Sequence, residues 1–233
     1  MRFRPQLWPT LMTIPMFVAL LGLGTWQIQR HEWKADLVDK LRQRAEAPAV
    51  VLPATLDSLD AYEFARVRVA GTFLNDKEYH LIGRSMRGNP GLHILTPLRR
   101  ADGNGLVLID RGWVPFDRRA AETRPEGQLN DPVVVEGIIR LSKGQGSFMP
   151  DNEPHSNTWF FIDPAAMAAA HGIDSLPRYY IASADDAVPG GFPIGRQWRL
   201  DIANNHLEYA FTWYFMALAL LVIYIIYHRQ RAE

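Results

Sequence analysis

The sequence predicts a membrane α+β protein in which two transmembrane helices flank an antiparallel, β-rich domain. Two observations predict the helices: apolar runs cover residues 7–29 and 206–227, near the two ends of the chain. At ~1.5 Å of rise per residue each run is about 30 Å long, which is the thickness of a bilayer core. A third observation predicts the domain, because residues 30–205 contain short strand patterns separated by turn residues.

The first apolar run is expected to be an uncleaved span and not a signal peptide. It is longer than the apolar core of a typical signal peptide, and Trp26 and Gln27 stand where small cleavage-site residues belong. After it, residues 30–46 are charged and carry apolar side chains at helical spacing. We therefore expect the first helix to extend out of the membrane and to end before Pro48.

Both short tails are basic, which indicates that both lie in the cytoplasm. The arginines of these tails are Arg2, Arg4, Arg229 and Arg231. With residues 1–6 and 228–233 in the cytoplasm, the main domain at 30–205 lies on the opposite side, which is the periplasm in a bacterium. The start of the chain shows no arginine- and serine-rich transit peptide, which favours a bacterial inner-membrane protein over an imported mitochondrial precursor.

Composition narrows the possible chemistry. The 25 basic residues balance the 25 acidic ones, so charge gives no reason to expect a nucleic acid as partner. Cysteine is absent and the seven methionines are scattered, which argues against a Cu(I) chaperone. The sequence has neither a Gly-x-Ser-x-Gly nor a His-Glu-x-x-His motif. A membrane-tethered enzyme is therefore a minor alternative, and we expect no enzymatic activity.

The middle of the chain predicts a sheet built from hairpins. Residues 79–83 and 92–96 flank the turn at 88–91, and residues 95–99 and 106–110 flank the turn at 102–105. Further strands are predicted at 64–69, 133–141, 158–162, 179–181 and 197–202. Residues 164–171 are predicted as a short helix that Asp163 caps. Closely spaced strands of this kind suggest an antiparallel sheet that closes toward a barrel or sandwich, with one or two short helices.

Four segments carry a family resemblance. They are Gly24–Gln27 followed by Arg30 and Trp33–Lys34, then Gly91–Leu98, Asp110–Pro115 and Asn204–Tyr214. In this order, between two spans, they resemble the surfeit-locus family of cytochrome c oxidase assembly factors over nearly the whole chain. The resemblance implies an assembly factor of an inner membrane that helps to place haem a in oxidase subunit I. It also implies that subunit I, haem a synthase and membrane lipid are partners, and that bacterial members carry haem a transiently through the histidine that matches His206.

The residues around His206 fit such a cofactor physically. Neutral imidazole is a suitable iron ligand, and the predicted topology brings the end of the first span and the start of the second to one membrane face. On a helix, Tyr209 and Trp213 share the face of His206, and so do Ala210 and Ala217, which we expect to leave room for the ring. From the first span we expect Trp26 to stack on the ring and Arg30 to pair with a propionate. Arg199 is a second propionate candidate, and His31 is a possible second axial ligand.

Two other interpretations stay open. In the first, Trp and Tyr at the membrane interface are only anchors; in the second, the interfacial histidine only organises a helix end. The protein would then be a scaffold without a cofactor that holds subunit I during assembly.

Overall fold

The computed structural model describes residues 5–185, 188–198 and 204–230. The chain divides into a helical unit, made of residues 1–41 and 200–233, and a sheet unit, made of residues 42–199. The elements in chain order are α1 (Leu7–Glu46), β1 (Val50–Val51), α2 (Leu59–Tyr62), β2 (Arg66–Phe73), β3 (Tyr79–Met86), β4 (Asn89–Arg100), β5 (Leu106–Pro115), β6 (Val133–Leu141), β7 (Thr158–Trp159), α3 (Pro164–Ala170), β8 (Tyr179–Ser183) and α4 (His206–Gln230).

Helices α1 and α4 are both long and apolar enough to cross a bilayer. The most apolar windows of the two helices have mean hydropathies of 1.7 and 2.0. Helix α1 is one continuous helix of 40 residues, so it contains the predicted span at 7–29 and the predicted extension at 30–46. It ends at Glu46, two residues before Pro48, whose ring disfavours helical backbone in the residue that precedes it.

The two long helices run antiparallel and contact each other at two levels. The hydroxyl of Thr10 lies 2.7 Å from that of Tyr224, and the hydroxyl of Thr25 lies 3.0 Å from that of Tyr214. Gly24 makes the close approach possible, because a Cβ placed there would lie 2.8 Å from a ring carbon of Tyr214. A small residue under a large one is a common way for membrane helices to pack.

The sheet is mixed, and this corrects the predicted antiparallel sheet. Its strand order is β1-β2-β6-β8-β5-β4-β3-β7, and β4 pairs back onto β2 through three residues of each strand. Strand β8 enters between β6 and β5, antiparallel to the first and parallel to the second. The pairs β1–β2 and β3–β7 are also parallel. Parallel partners need long connections, which periodicity along the sequence does not reveal.

Both predicted hairpins are confirmed, since β3 pairs with β4 and β4 with β5 in antiparallel register. The predicted strand at 133–141 is also confirmed. Helix α3 begins as expected, because the carboxylate of Asp163 accepts hydrogen bonds from the backbone N–H groups of its first turn. The predicted strand at 158–162 is wrong in length, since only Thr158 and Trp159 are extended. Residues 197–198 are not a strand, and the rest of that predicted strand lies outside the described residues.

Strand β5 separates two parts of the core. Val107 and Ile109 point into one apolar cluster together with Val67 and Val135. Leu108, between them, points into a second cluster, which contains Trp159 and the side chains of α3. A strand that is covered on both faces needs apolar residues at successive positions, and residues 106–109 are all apolar.

Candidate functional site

His206 begins helix α4 and contacts α1 directly. Its ring Nδ1 lies 2.6 Å from the side-chain oxygen Oε1 of Gln27. Two residues earlier, the amide nitrogen of Asn204 donates a hydrogen bond of 3.2 Å to the backbone carbonyl of His31. These contacts fix the start of α4 against one turn of α1, between residues 27 and 31.

The contact with Gln27 determines which nitrogen of His206 is left for a ligand. Because Oε1 of an amide only accepts hydrogen bonds, Nδ1 of His206 carries the hydrogen and donates it. The lone pair of the neutral ring is then on Nε2, which is a suitable ligand nitrogen for iron. A histidine that binds a metal through one ring nitrogen usually donates a hydrogen bond from the other to an oxygen.

The residues predicted to share a site with His206 make other contacts or are exposed. Among the described residues, no hydrogen bond or ring contact joins His206 to Trp26, Arg30, Tyr209 or Trp213. Trp26 and Tyr209 are 53% and 57% exposed, so both rings present apolar surface outward. Trp213 is half-buried. The guanidinium of Arg30 lies over the ring of Trp33, one turn along α1, at 4.0 Å from the ring centroid.

The two alanines on the face of His206 do not provide the expected room for a ring. Ala210 and Ala217 are only 3% and 1% exposed, so protein atoms cover both. The rings of Trp26 and Tyr209, by contrast, are exposed.

Some polar atoms near His206 have unused hydrogen-bonding capacity. Nδ1 of His31 and Oδ1 of Asn204 are buried and find no partner among the described residues. Because Asn204 donates its hydrogen bond to the backbone carbonyl of His31, His31 lies in the same part of the helical unit as His206. The second propionate candidate, Arg199, lies outside the described residues.

A haem would need only one or two nitrogen ligands from the chain. Within residues 5–185, 188–198 and 204–230, no three histidine, aspartate or glutamate side chains are grouped as a metal site would require. Protein sites for bare transition metals typically use three or four such ligands. A haem supplies four nitrogens of its own, so one or two imidazoles complete its iron.

Sequence reasoning missed Gln27 as a member of this site. A signal was present, because Gln27 is a polar side chain near the end of an apolar run and falls in one of the four segments that carry the resemblance. Its partner was not predictable from α1 alone, since the contact depends on how the two helices are rotated about their axes.

Two helices that are long and apolar enough to cross a membrane fit a membrane protein. Comparison with known proteins is more specific. The SURF1 family model matches residues 14–218. A SURF1-like protein of Monosiga brevicollis is 36% identical over 231 residues, which cover 94% of this chain and 87% of that protein. Surfeit locus protein 1 of Homo sapiens is 36% identical over 224 residues, covering 90% and 73% of the two chains.

Surfeit locus protein 1 of Mus musculus is also 36% identical, over 85% of this chain and 68% of its own. The chain therefore belongs to the SURF1 family, the surfeit-locus family of oxidase assembly factors. The resemblance inferred from its four segments is confirmed.

Proposed function

We propose that this chain binds haem a at His206 and assists the insertion of that haem into subunit I of cytochrome c oxidase. Membership of the SURF1 family supports the assembly role. The observation that carries the haem proposal is the hydrogen bond of 2.6 Å between His206 and Gln27, which holds the imidazole with Nε2 free for a ligand.

The surroundings of His206 suit a large apolar cofactor. Haem a, when bound, supplies an iron that takes an axial nitrogen and a farnesyl tail that needs apolar surroundings. The exposed rings of Trp26 and Tyr209 offer flat apolar surface beside the imidazole. Trp213 lies two turns into α4 from His206 and offers a further aromatic surface.

Arg30 is the residue proposed to pair with a haem propionate. Its guanidinium rests on the ring of Trp33, which restricts the side chain by a cation–π contact. A planar guanidinium held in this way loses less freedom when it forms two parallel hydrogen bonds to a carboxylate. Arg30 follows the apolar part of α1, where an anionic group remains hydrated.

The proposed location is a bacterial inner membrane with both termini in the cytoplasm. The antiparallel pairing of α1 and α4 supports this topology, because it brings residues 27–31 and 204–206 to one end of the helical unit. In this arrangement the sheet unit is periplasmic, and haem would enter from the lipid at that face. Haem a synthase is the proposed donor, and subunit I is the proposed acceptor.

An absorption spectrum tests the haem proposal. Protein would be purified in detergent from cells that make haem a, as wild type, as His206→Ala and as His228→Ala. His228 is a matched control, because it is a second histidine of α4 near the other end of that helix. We expect a Soret band in the wild type and in His228→Ala and its loss in His206→Ala. Equal haem content in all three proteins would refute the proposal.

A scaffold without cofactor is the second candidate function. It is favoured by exposed apolar side chains on the sheet unit, of which Val134 is 67% exposed and Phe148 is fully exposed. Such side chains are typical of surfaces that contact a partner. A scaffold would be colourless and would co-purify with subunit I whether or not His206 is present, so the same preparations separate the two functions.

A further inference from the structure

The sheet unit contains a polar cavity that the haem proposal does not use. Its volume is about 430 Å³, within the range of small-molecule sites. The side chains that give it its chemistry come from strands β3, β4, β5, β6 and β8 and from the segment after β8. They are Arg84, His93, Asp110, Arg140, Tyr180 and Trp198. All six belong to the sheet unit.

A buried pair fixes one wall of this cavity. Nδ1 of His93 lies 2.9 Å from Oδ2 of Asp110, and both side chains are buried. The other oxygen of Asp110 accepts a hydrogen bond of 3.0 Å from the backbone N–H of Gly112. The protein itself thus occupies both oxygens of Asp110, and the nitrogen that His93 has left for a ligand is Nε2.

Two donors in the cavity lining find no acceptor. The Nε–H of Arg140 and the Nε1–H of Trp198 are buried and make no hydrogen bond within residues 5–185, 188–198 and 204–230. The guanidinium of Arg140 is held over the ring of Phe64 at 4.4 Å from the centroid. Buried polar groups in native proteins are nearly always satisfied, so unpaired donors beside a cavity indicate an acceptor that the chain does not supply.

The charges of the lining also favour an acceptor that is negatively charged. Arg84 and Arg140 contribute two positive charges, against one negative charge from Asp110. Burial, together with the nearby carboxylate of Asp110, raises the pKa of Tyr180, so its hydroxyl stays neutral and able to donate. The lining therefore combines donors with a small excess of positive charge.

We propose that this cavity binds a small oxyanion, of the carboxylate or phosphate class, through the N–H groups of Arg140 and Trp198 and the charge of Arg84. Ser85 and Ser183, which also line the cavity, add hydroxyl donors. The cavity is larger than a phosphate group, so it admits an organic molecule that carries the oxyanion. This proposal does not depend on whether the chain binds haem.

Calorimetric titration of the full-length chain in detergent tests the proposal. The probes are inorganic phosphate, glycerol 3-phosphate and acetate, with chloride as a control for charge alone. We expect saturable binding of at least one of the three oxyanions and none of chloride. A response to both phosphate probes without acetate would identify phosphate chemistry, and the reverse would identify a carboxylate site. Absence of saturable binding by all three oxyanions would overturn the proposal.

Variants assign the binding to this cavity. Arg140→Gln should weaken binding about tenfold or more, because it removes hydrogen bonds to a charged ligand. Trp198→Phe keeps an aromatic ring but lacks the donor, so it should weaken binding by about threefold or more. Arg99→Gln is the matched control, since Arg99 is an exposed arginine outside the cavity and should bind as the wild type does. If Arg140→Gln fails to fold, Trp198→Phe decides the outcome, and wild-type affinity in that variant would overturn the assignment.

Discussion

The imidazole of His93 on β4 donates a hydrogen bond of 2.9 Å from Nδ1 to the carboxylate of Asp110 on β5. The strand register changes at this point, because Leu95 pairs with Asp110 and Ile94 with Gly112, which leaves Arg111 as an extra residue in β5. Gly112 has a φ of 113° and lies so close to the backbone of Ile194 that a Cβ would clash with its carbonyl oxygen. This bulge links two of the segments that carry the family resemblance.

The pair of His93 and Asp110 should contribute measurably to the stability of the sheet unit. In Asp110→Ala the buried ring of His93 and the N–H of Gly112 both lose their acceptor, which should lower the free energy of unfolding by about 1–3 kcal/mol. Asp110→Asn keeps one acceptor oxygen and should lose less. Thermal unfolding followed by circular dichroism measures the difference. Asp131→Ala, at an exposed carboxylate, is the control and should unfold at the same temperature as the wild type.

Gly24 should be necessary for the pairing of α1 and α4, whereas Gly22 should not. A Cβ at Gly24 would lie 2.8 Å from the ring of Tyr214, but a Cβ at Gly22 meets no atom within 4 Å. Gly24→Val should therefore separate the helices, and Gly22→Val should leave them paired. Because the chain has no cysteine, Thr10→Cys with Tyr224→Cys gives a clean pair for a short bismaleimide cross-linker. Equal cross-linking yields in the two valine variants would contradict the packing described for Gly24.

The elements that sequence predicted well are those with a local signal. The hairpin between β3 and β4 has Gly88 at a positive φ in its turn, and α3 has Asp163 at its N-cap. The place of β8 between β6 and β5 has no local signal, because it depends on packing between residues far apart in the chain. For that reason the parallel pairings were missed and the sheet was predicted to be antiparallel.

In the candidate site, too, local features were predictable from the sequence and features that depend on packing were not. Helical spacing placed Ala210 on the face of His206, but it could not tell that protein atoms cover this alanine. Helix α1 carries exposed apolar residues on several sides, so no single stripe identified the face that meets α4. The contact between Gln27 and His206 depends on that rotation, and only the three-dimensional structure reveals it.

Gln27 should influence haem binding although it is not proposed to touch the iron. In Gln27→Leu the imidazole of His206 loses the acceptor that holds its hydrogen on Nδ1. A smaller fraction of the molecules then has the ring oriented to bind iron through Nε2. Loss of such a supporting contact typically lowers metal affinity by about 10–100-fold. Haem titration followed by the Soret band measures this affinity. Thr10→Val removes a helix–helix hydrogen bond far from His206 and is the control; an unchanged affinity in Gln27→Leu would argue against the proposed role of this contact.

Glu78 is at the centre of a buried charged network in the sheet unit. Its Oε1 accepts hydrogen bonds from Nε2 of His80, at 3.0 Å, and from the guanidinium of Arg124. Arg119 donates to Nδ1 of His80 at 3.0 Å, which fixes the hydrogen of that ring on Nε2. The network joins the start of β3 to the chain after β5, where Arg119 and Arg124 lie.

Lowering the pH should destabilise the sheet unit, because Glu78 becomes protonated. Burial raises the pKa of Glu78, but the hydrogen bond from His80 and the charge of Arg124 outweigh it, so the pKa lies below the ordinary 4.5. A carboxylate whose pKa is lowered by folding stabilises the folded state at pH values above its unfolded pKa. That stabilisation is lost as the pH falls below 4.5 and through the pKa of the folded state.

Glu78→Gln should therefore lower stability most at neutral pH and least in acid. At pH 7 the variant leaves the buried guanidinium of Arg124 without its counter-charge, a loss of about 3 kcal/mol. As the pH falls below 4.5, the wild type loses the same interaction, so the unfolding midpoints of the two proteins should converge. Glu122→Gln, at an exposed glutamate nearby, should have the same unfolding midpoint as the wild type at every pH. A gap between wild type and Glu78→Gln that stays constant from neutral pH into acid would show that the charge of Glu78 does not provide the stabilisation, because only an ionised group loses its contribution on protonation.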